Sequence, residues 1–370
     1  MNKKRSFLLI TVAILCLLVP VLLFAGGKKK QPEEAAPKAE QKAEPKLEAA
    51  PEAEKKEPFD VAVFVPGVVA GSPLYEKMVE GAERAISGYG HVSLKVIEAG
   101  FNQAEWTEKM NSLAAMGEYE VIVTSNPAMP FVSMEVAENF PDQKWLNVDA
   151  YFDGHPQFYT LLYNQVEQAY FVGYLGGLVT KSGMSGANPD LKVGMIVAQE
   201  YPALTKMIKP GYEMGLRAVD PGITVDYRKI DNWYDANKAA DLANSMIDAG
   251  VDVILVIAGG ANQGVIKAAQ NRGKYVLFFD SNEYKIAPGT IVGCSILDQE
   301  RAVYEKLKLA IEGKLPYGKA EIVHARDGYV DFADDDPLYI DNVSEDVRKA
   351  MEGVVKKMRS GEVSFEVPEL

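Results

Sequence analysis

The sequence predicts an α/β protein of two lobes, each a parallel sheet flanked by helices, with a ligand cleft between them. From Asp60 onward, short Val- and Ile-rich runs alternate with amphipathic segments, which is typical of parallel strands covered on both faces. A strand-helix-strand-helix-strand-helix-strand order occurs twice along the chain. Residues 58–370 number 313, and single cores stop growing at roughly 250–300 residues, so two lobes are expected.

The first lobe is predicted over residues 58–165. Its buried strands are VAVFV (61–65), VSLKVI (92–97), EVIVTS (120–125) and KWLNVD (144–149). Helical patterns separate them at 75–87, 104–116 and 131–139. Three of the four strands end at a small or acidic residue, where a loop toward the cleft is expected.

The second lobe is predicted over residues 166–284. It opens with helix 166–180, which is nearly all apolar and rich in glycine, so it should pack closely against another backbone. The remaining elements are strands 192–198, 223–230, 251–259 and 274–280 and helices 203–218, 235–248 and 263–271.

The elements after residue 284 exceed what two separate four-stranded units need. They are strand 290–296, helix 298–312, strands 322–325 and 329–333, and helix 344–358. We expect them to cross back, with about 285–315 completing the first lobe and about 316–370 completing the second. Several crossings would form a hinge beneath the cleft.

The N-terminal segment predicts export and tethering. Residues 1–27 form a signal peptide or N-terminal anchor, because Lys3, Lys4 and Arg5 precede an uncharged run from Ser6 to Ala25. Residues 28–57 contain only Ala, Glu, Lys, Pro, Gln and one Leu, the composition of a solvated, disordered tether. We therefore predict a periplasmic protein held at the outer face of the cytoplasmic membrane.

The net charge of −13 divides unevenly along the chain. Residues 1–57 carry 11 basic and 8 acidic side chains, and the remainder carries 28 basic and 44 acidic, or −16. Nucleic-acid binding depends on Lys and Arg that displace counterions from phosphates, so a nucleic-acid partner is excluded.

Signals for catalysis and metal binding are weak. The only histidines are His91, His155 and His324, and none has metal-ligand spacing with another ligand. The glycine-rich loop GGANQG (259–264) follows a strand and opens a helix, but no Lys-Ser/Thr follows it, so it is not a phosphate-binding P-loop. The sequence therefore predicts no catalytic residue, no metal ligand, no cofactor and no enzymatic activity.

Aromatic and polar side chains are concentrated in the loops after the strands, where ligands bind in open parallel sheets. Rings that stack and polar groups beside them suit a flat heterocycle that carries hydroxyls. The candidate ligand-binding residues are Ser72, Tyr75, Asn126, Asp149, Tyr201, Trp233, Asn262, Gln263 and Asp280. Helix capping by Asp149 and Asp280, and ordinary packing by Trp233, are the alternatives.

Four consecutive stretches carry a family resemblance. Residues 125–149, 164–183, 192–225 and 232–284 resemble the basic membrane protein family of substrate-binding proteins, in the family's own order. The resemblance covers about residues 59–313. It implies a type I periplasmic-binding-protein fold, a monomer that delivers a small molecule to an ABC permease in the cytoplasmic membrane, and purine nucleosides as the best-known ligands.

Two positions depart from the nucleoside-binding pattern. An Asp-x-Ser-Phe-Asn motif is replaced by Gly71-Ser72-Pro73-Leu74-Tyr75, and the Lys of a Ser-x-Leu-Lys segment is replaced by Asp298. Loss of these groups, with aromatic residues kept, resembles a spirochaetal riboflavin-binding branch. We therefore predict riboflavin as the transported ligand and include Asp298 among the site residues. A purine nucleoside ligand and a sensor rather than an importer are the alternatives.

The acidic residues at strand ends bear on the ligand's charge. Asp149, Glu200, Asp235, Asp280 and Asp298 all follow predicted strands and are expected to face the cleft. Such a lining favours a neutral, hydroxyl-rich ligand over a phosphorylated one.

Overall fold

The computed structural model describes residues 57–370. The predicted signal or anchor (1–27) and all but the last residue of the predicted tether (28–57) lie outside the described residues. Within residues 57–370, no helix has both the length and the apolar character required to cross a bilayer.

The alternating pattern of the sequence folds into strands and helices in the expected order. The strands are β1 (Phe59–Val65), β2 (Val92–Glu98), β3 (Val121–Ser125), β4 (Lys144–Val148), β5 (Phe158–Tyr163), β6 (Lys192–Val197), β7 (Thr224–Lys229), β8 (Val253–Ile257), β9 (Tyr275–Phe278), β10 (Ile291–Leu297), β11 (Lys319–Val323) and β12 (Val330–Phe332). The longer helices are α1 (Pro73–Ile86), α2 (Trp106–Ala114), α3 (Met129–Ala137), α4 (Gln165–Thr180), α5 (Lys209–Val219), α6 (Ala236–Asp248), α7 (Asn262–Asn271), α8 (Gln299–Ile311), α9 (Pro337–Asn342) and α10 (Glu345–Arg359). A π-helical turn, Leu204–Ile208, precedes α5.

The strands form two six-stranded sheets, one in each lobe. The first has the order β11-β5-β4-β3-β1-β2 and the second the order β12-β10-β9-β8-β6-β7. Every recorded strand pair is parallel except β10 with β12. β1, β3 and β8 are buried or nearly so along their length, as parallel strands covered on both faces require. The predicted fold class is confirmed.

Two strand assignments differ from the sequence prediction. Strand β5 was not predicted; it is completely buried and leads directly into apolar helix α4, so no polar turn separates the two in the sequence. Strand β10 was expected to complete the first lobe and β11 the second, but β10 pairs with β9 and β11 pairs with β5. Strand partners are chosen by tertiary packing, which a single sequence pattern does not encode.

Helices α4 and α5 approach each other through their glycines. A Cβ atom at Gly173 would lie 2.2 Å from the carbonyl oxygen of Tyr212, and one at Gly215 would lie 2.5 Å from that of Tyr170. Only residues without a side chain permit backbones at this separation. The expected close packing of the glycine-rich helix is therefore confirmed.

The chain crosses between the lobes three times, after β5, after β10 and after β11. Helix α8 packs on α1, so the second crossing returns the chain to the first lobe. Glu167, in the first turn of α4, lies beside the first and third crossings and is only 1% exposed. Its carboxylate is surrounded by hydrogen-bond partners: the backbone N–H of Ala325 (2.7 Å), the Ser364 hydroxyl (2.6 Å), the backbone N–H of Phe365 (3.3 Å) and Nδ1 of His324 (3.1 Å). One buried carboxylate thus ties the start of α4 to the third crossing and to the C-terminal segment.

A candidate ligand-binding cleft

The cleft forms where the carboxyl ends of the two sheets face each other. Asn126 follows β3, Asp149 follows β4 and Asp280 follows β9 closely. They are three of the five non-glycine residues in the described part with positive φ, at 123°, 54° and 78°. Backbone strain of this kind costs energy and persists where the surrounding structure holds the residue in place. The strain therefore falls on three of the residues predicted to bind the ligand.

Asp149 from the first lobe and Asp280 from the second form a carboxyl pair across the cleft. Burial raises the pKa of Asp149 well above its ordinary value, and the charge of Asp280 raises it further. Burial raises the pKa of Asp280 to about 6, opposed by a hydrogen bond from Gln168. Two carboxylates whose charges interact in a poorly solvated site resist holding two negative charges.

Three aromatic side chains from both lobes accompany this carboxyl pair. Burial raises the pKa of Tyr75 to about 12; its hydrogen bond with Asn126 acts in the opposite direction, and the Asp149 charge adds to the rise. Burial, followed by the charges of Asp280 and Asp149, raises the pKa of Tyr201. The Tyr201 and Trp233 rings lie 6.3 Å apart at 37°. Tyr75, Tyr201 and the two acids therefore share one region, with Trp233 beside Tyr201.

The glycine-rich loop shapes the wall that carries Trp233. Gly259 has φ +55°, and a Cβ there would lie 3.4 Å from a ring carbon of Trp233. A Cβ at Gly264 would lie 1.8 Å from the carbonyl oxygen of Ala236, so this glycine lets α7 approach α6. Gly259 thus lets the loop lie against the Trp233 ring, and Gly264 lets α7 pack on α6.

Other predicted site residues have local structural roles. Asn262 accepts a hydrogen bond from the Ala258 N–H at 2.8 Å through its side-chain oxygen, and Gln263 is exposed. Asp298 caps α8 by accepting from the Arg301 N–H at 3.1 Å. Ser72 precedes α1 without forming a side-chain cap.

Two of the acids expected to face the cleft are engaged elsewhere. Asp235 caps α6, and exposed Glu200 pairs with Lys229 and accepts from the Tyr227 hydroxyl. The acidity of the cleft therefore rests mainly on Asp149 and Asp280, rather than on all five strand-end acids.

Buried polar residues that the sequence analysis did not select lie below the carboxyl pair. Gln165 Nε2 donates to Asp149 at 3.2 Å and Gln168 Nε2 to Asp280 at 2.9 Å. The Tyr163 hydroxyl donates to Gln299 at 2.8 Å, and Gln299 donates to the Ser125 hydroxyl at 2.7 Å. The available signal was two glutamines at the start of an otherwise apolar helix, which is unusual for a buried surface.

A family model described as Bmp, ABC transporter substrate-binding protein PnrA-like, matches residues 59–363. The chain belongs to this family. The predicted family membership is therefore confirmed, and the protein is a Bmp-type ABC transporter substrate-binding protein. The family is one of substrate-binding proteins rather than enzymes.

Relatives of this Bmp protein carry several names. A CD4+ T-cell-stimulating antigen of Listeria monocytogenes is 23% identical over 301 residues, 78% of this chain and 79% of that protein. A purine-binding protein of Brucella abortus is 24% identical over 266 residues, 70% of this chain and 69% of that protein. Basic membrane protein B of Borrelia garinii is 30% identical over 143 residues, 38% of this chain and 39% of that protein.

Solved structures similar to this Bmp protein include further solute-binding proteins. One from an ABC transporter system of Aeropyrum pernix K1 has a TM-score of 0.75 at 20% identity, covering 84% of this chain and 94% of that one. A carbohydrate transporter solute-binding protein of Agrobacterium radiobacter, in complex with D-arabinose, has a TM-score of 0.59 at 18% identity, covering 80% and 99%. At these identities the likeness establishes the two-lobed type I fold alone.

Proposed function

We propose that this substrate-binding protein captures riboflavin between its two lobes and delivers it to an ABC permease. The observation that carries the proposal is the convergence of Tyr75 and Tyr201, from opposite lobes, on the carboxyl pair of Asp149 and Asp280. Aromatic rings offer stacking surfaces to a flat heterocycle, and the acids offer hydrogen bonds to its polar groups. We further propose that the protein acts as a monomer, periplasmic and tethered to the cytoplasmic membrane by residues 1–57.

The charge of the cleft supports a neutral ligand over a phosphorylated one. Among the described residues, neither Asp149 nor Asp280 has a lysine, arginine or histidine within ion-pair distance. A phosphate placed beside this pair would meet negative charge without a compensating cation. Riboflavin, with a neutral ring and a ribityl chain of hydroxyls, avoids this repulsion, whereas its phosphate ester does not.

Capture of this ligand requires movement of the lobes. Contacts from both lobes make the affinity for the closed state higher than that for the open state, and this difference drives closure. The three crossings provide the hinge about which the lobes move. We propose that the permease recognises the closed form.

Flavin fluorescence tests the proposal directly. Addition of the protein is expected to quench riboflavin emission because aromatic rings stack on the flavin, whereas the phosphate ester, flavin mononucleotide, should bind at least tenfold more weakly.

A Trp233→Ala variant should lose about 1–3 kcal/mol of binding free energy, the value of one aromatic stacking contact. The matched control is Tyr234→Ala, which removes a neighbouring ring that is 69% exposed. Unchanged emission with the wild-type protein would contradict the riboflavin assignment.

A purine nucleoside is the second candidate ligand. It is supported by the relative from Brucella abortus that is named a purine-binding protein. Inosine has no flavin emission, so its binding is followed by calorimetry and by the shift in melting temperature. Binding of inosine without quenching of riboflavin would favour this candidate. A sensor role is distinguished by reconstitution, since an importer component must stimulate ligand uptake by its permease.

A further inference from the structure

The first turn of α4 reaches both acids of the cleft. Gln165 and Gln168 are three residues apart and therefore lie on one face of the helix. Their amide nitrogens donate to opposite lobes, Gln165 to Asp149 at 3.2 Å and Gln168 to Asp280 at 2.9 Å. The two glutamine side chains are 4% and 0% exposed. One helical turn thus holds the acids of both lobes.

Both glutamine amides point their nitrogen atoms toward a carboxyl group. Both amide oxygens are buried without a hydrogen-bond partner among the described residues. An unsatisfied buried acceptor costs about 1–3 kcal/mol, so donation to the carboxyl groups must determine the orientation. The carboxyl groups are consequently held by their amide donors rather than by cations.

Among the described residues, the groups that face the carboxyl pair provide no compensating positive charge. Tyr75 contributes from α1, Tyr163 from β5, and Tyr201 from the loop after β6. Asp298, at the start of α8, adds a further acidic group near Tyr163. With only neutral or acidic groups around them, the two acids together hold one negative charge at lower free energy than two.

The two acids are not equivalent. Asp149 is 5% exposed and receives the longer hydrogen bond, whereas Asp280 is half-buried and receives the shorter one. Hydrogen bonds donated to a carboxylate favour its ionised form, and burial favours the neutral form. Both differences place the negative charge on Asp280 and the proton on Asp149.

We propose that Gln165 and Gln168 are positioning residues that keep Asp280 as the ionised acceptor and Asp149 as the protonated donor of the closed cleft. This inference rests on the proposed function and specifies its ligand chemistry. The ligand must offer a hydrogen-bond donor to Asp280 and an acceptor to Asp149, as hydroxyls and ring N–H/C=O edges do. Asp149 is ionised when solvated in the open cleft, so each closure takes up one proton from solvent and forms no covalent bond.

The pH dependence of wild-type affinity is the first test. Riboflavin is the probe, with inosine as the second, and calorimetry from pH 6.5 to 8.5 in buffers of different ionisation enthalpy counts the protons taken up. Binding is expected to weaken by up to about tenfold per pH unit as pH rises, because proton uptake on binding is progressively opposed. The sign follows from a bound-state pKa of Asp149 above its open-state pKa. Binding of either probe without proton uptake would overturn this inference and leave the proposed function standing.

Paired variants test the division of roles. Asp280→Asn is expected to lower affinity at least 50-fold at every pH, because it removes the ionised acceptor. Asp149→Asn should lower affinity by a factor at least five times smaller than Asp280→Asn does. It should also abolish the pH dependence of affinity, because an amide keeps a hydrogen-bond donor but does not titrate. Equal losses with an unchanged pH profile would refute the assignment.

The glutamine variant separates positioning from structural support. Gln168→Met should flatten the pH profile, because Asp280 without its amide donor also takes up a proton at acid pH. The control is Gln157→Met, a buried glutamine that donates to the carbonyls of Phe140 and Gln143 at 2.8 and 3.0 Å, outside the cleft. It should leave the profile unchanged.

Failure of both probes to bind wild-type protein would contradict the proposed function. The inference is then tested by carboxyl ¹³C titration of aspartate-labelled protein whose lobes are held closed by an engineered disulfide between them, because the inference places the proton on Asp149 only in the closed cleft. An aspartate that titrates above pH 6, and whose signal disappears in Asp149→Asn, supports it; absence of such a signal overturns it.

Discussion

A Gly173→Ala variant is expected to lose at least about 3 kcal/mol of unfolding free energy, more than an ordinary overpacking substitution costs. The new Cβ would lie 2.2 Å from the Tyr212 carbonyl oxygen and 2.9 Å from its carbonyl carbon. These are backbone atoms inside helix α5, so they move only if the two helices separate. Separation would open the core of the second lobe, because α4 also packs on β10 and β12. Urea unfolding at constant m-value measures the loss.

Gly353→Ala is the matched control for this prediction. Gly353 lies in α10, where a Cβ would meet no atom within 4 Å. Alanine lowers the conformational entropy of the unfolded chain and favours helix, so this variant should gain about 0.5–1 kcal/mol. Similar urea midpoints for both variants would show that α4 and α5 pack less closely than described.

Removal of the Glu167 carboxylate is expected to be the second large effect, at about 3–5 kcal/mol of unfolding free energy for Glu167→Ala. Its four partners come from two distant segments of chain, and each buried donor left unsatisfied costs about 1–3 kcal/mol. Relaxation of the C-terminal segment recovers part of that sum. Amide hydrogen exchange should accelerate first at Ala325 and Phe365, whose N–H groups lose their acceptor.

Glu352→Ala serves as the comparison for Glu167→Ala. Glu352 is exposed on α10, and substitutions at such positions usually change stability by less than about 0.5 kcal/mol. If exchange at Ala325 and Phe365 rises equally in both variants, Glu167 does not hold these two segments in place.

The sequence predicted most of the strands and helices because burial on both faces produces continuous apolar runs that contrast with amphipathic helices. Strand β5 lacked that contrast, since buried residues continue through Asn164 into α4 and erase the boundary. The pairing of β10 with β9 was also beyond the sequence, because both possible sheets offer equivalent apolar partners.

The candidate site was predicted unevenly for a related reason. Asp149, Asp280 and Asp235 were all expected to face the cleft because each follows a predicted strand. Asp235 caps a helix instead. An acid before a helix satisfies either role, and only the three-dimensional arrangement distinguishes them. Gln165 and Gln168 were not predicted as site residues, because they begin an apolar helix whose pattern indicates packing. Their carboxyl partners follow strands far away in the sequence, so the pairing is not visible in the sequence.

The three crossings have a consequence for the order in which the protein can fold as it is made. Strand β11 pairs with β5 through residues such as Lys319 and Tyr159, about 160 positions earlier in the chain. The second sheet likewise lacks its edge until β12 (Val330–Phe332) is present. Contacts between such distant positions slow folding, because a long loop must close before they form. Nearly the whole body must therefore be synthesised before either lobe has all its strands, and the two lobes become complete almost together.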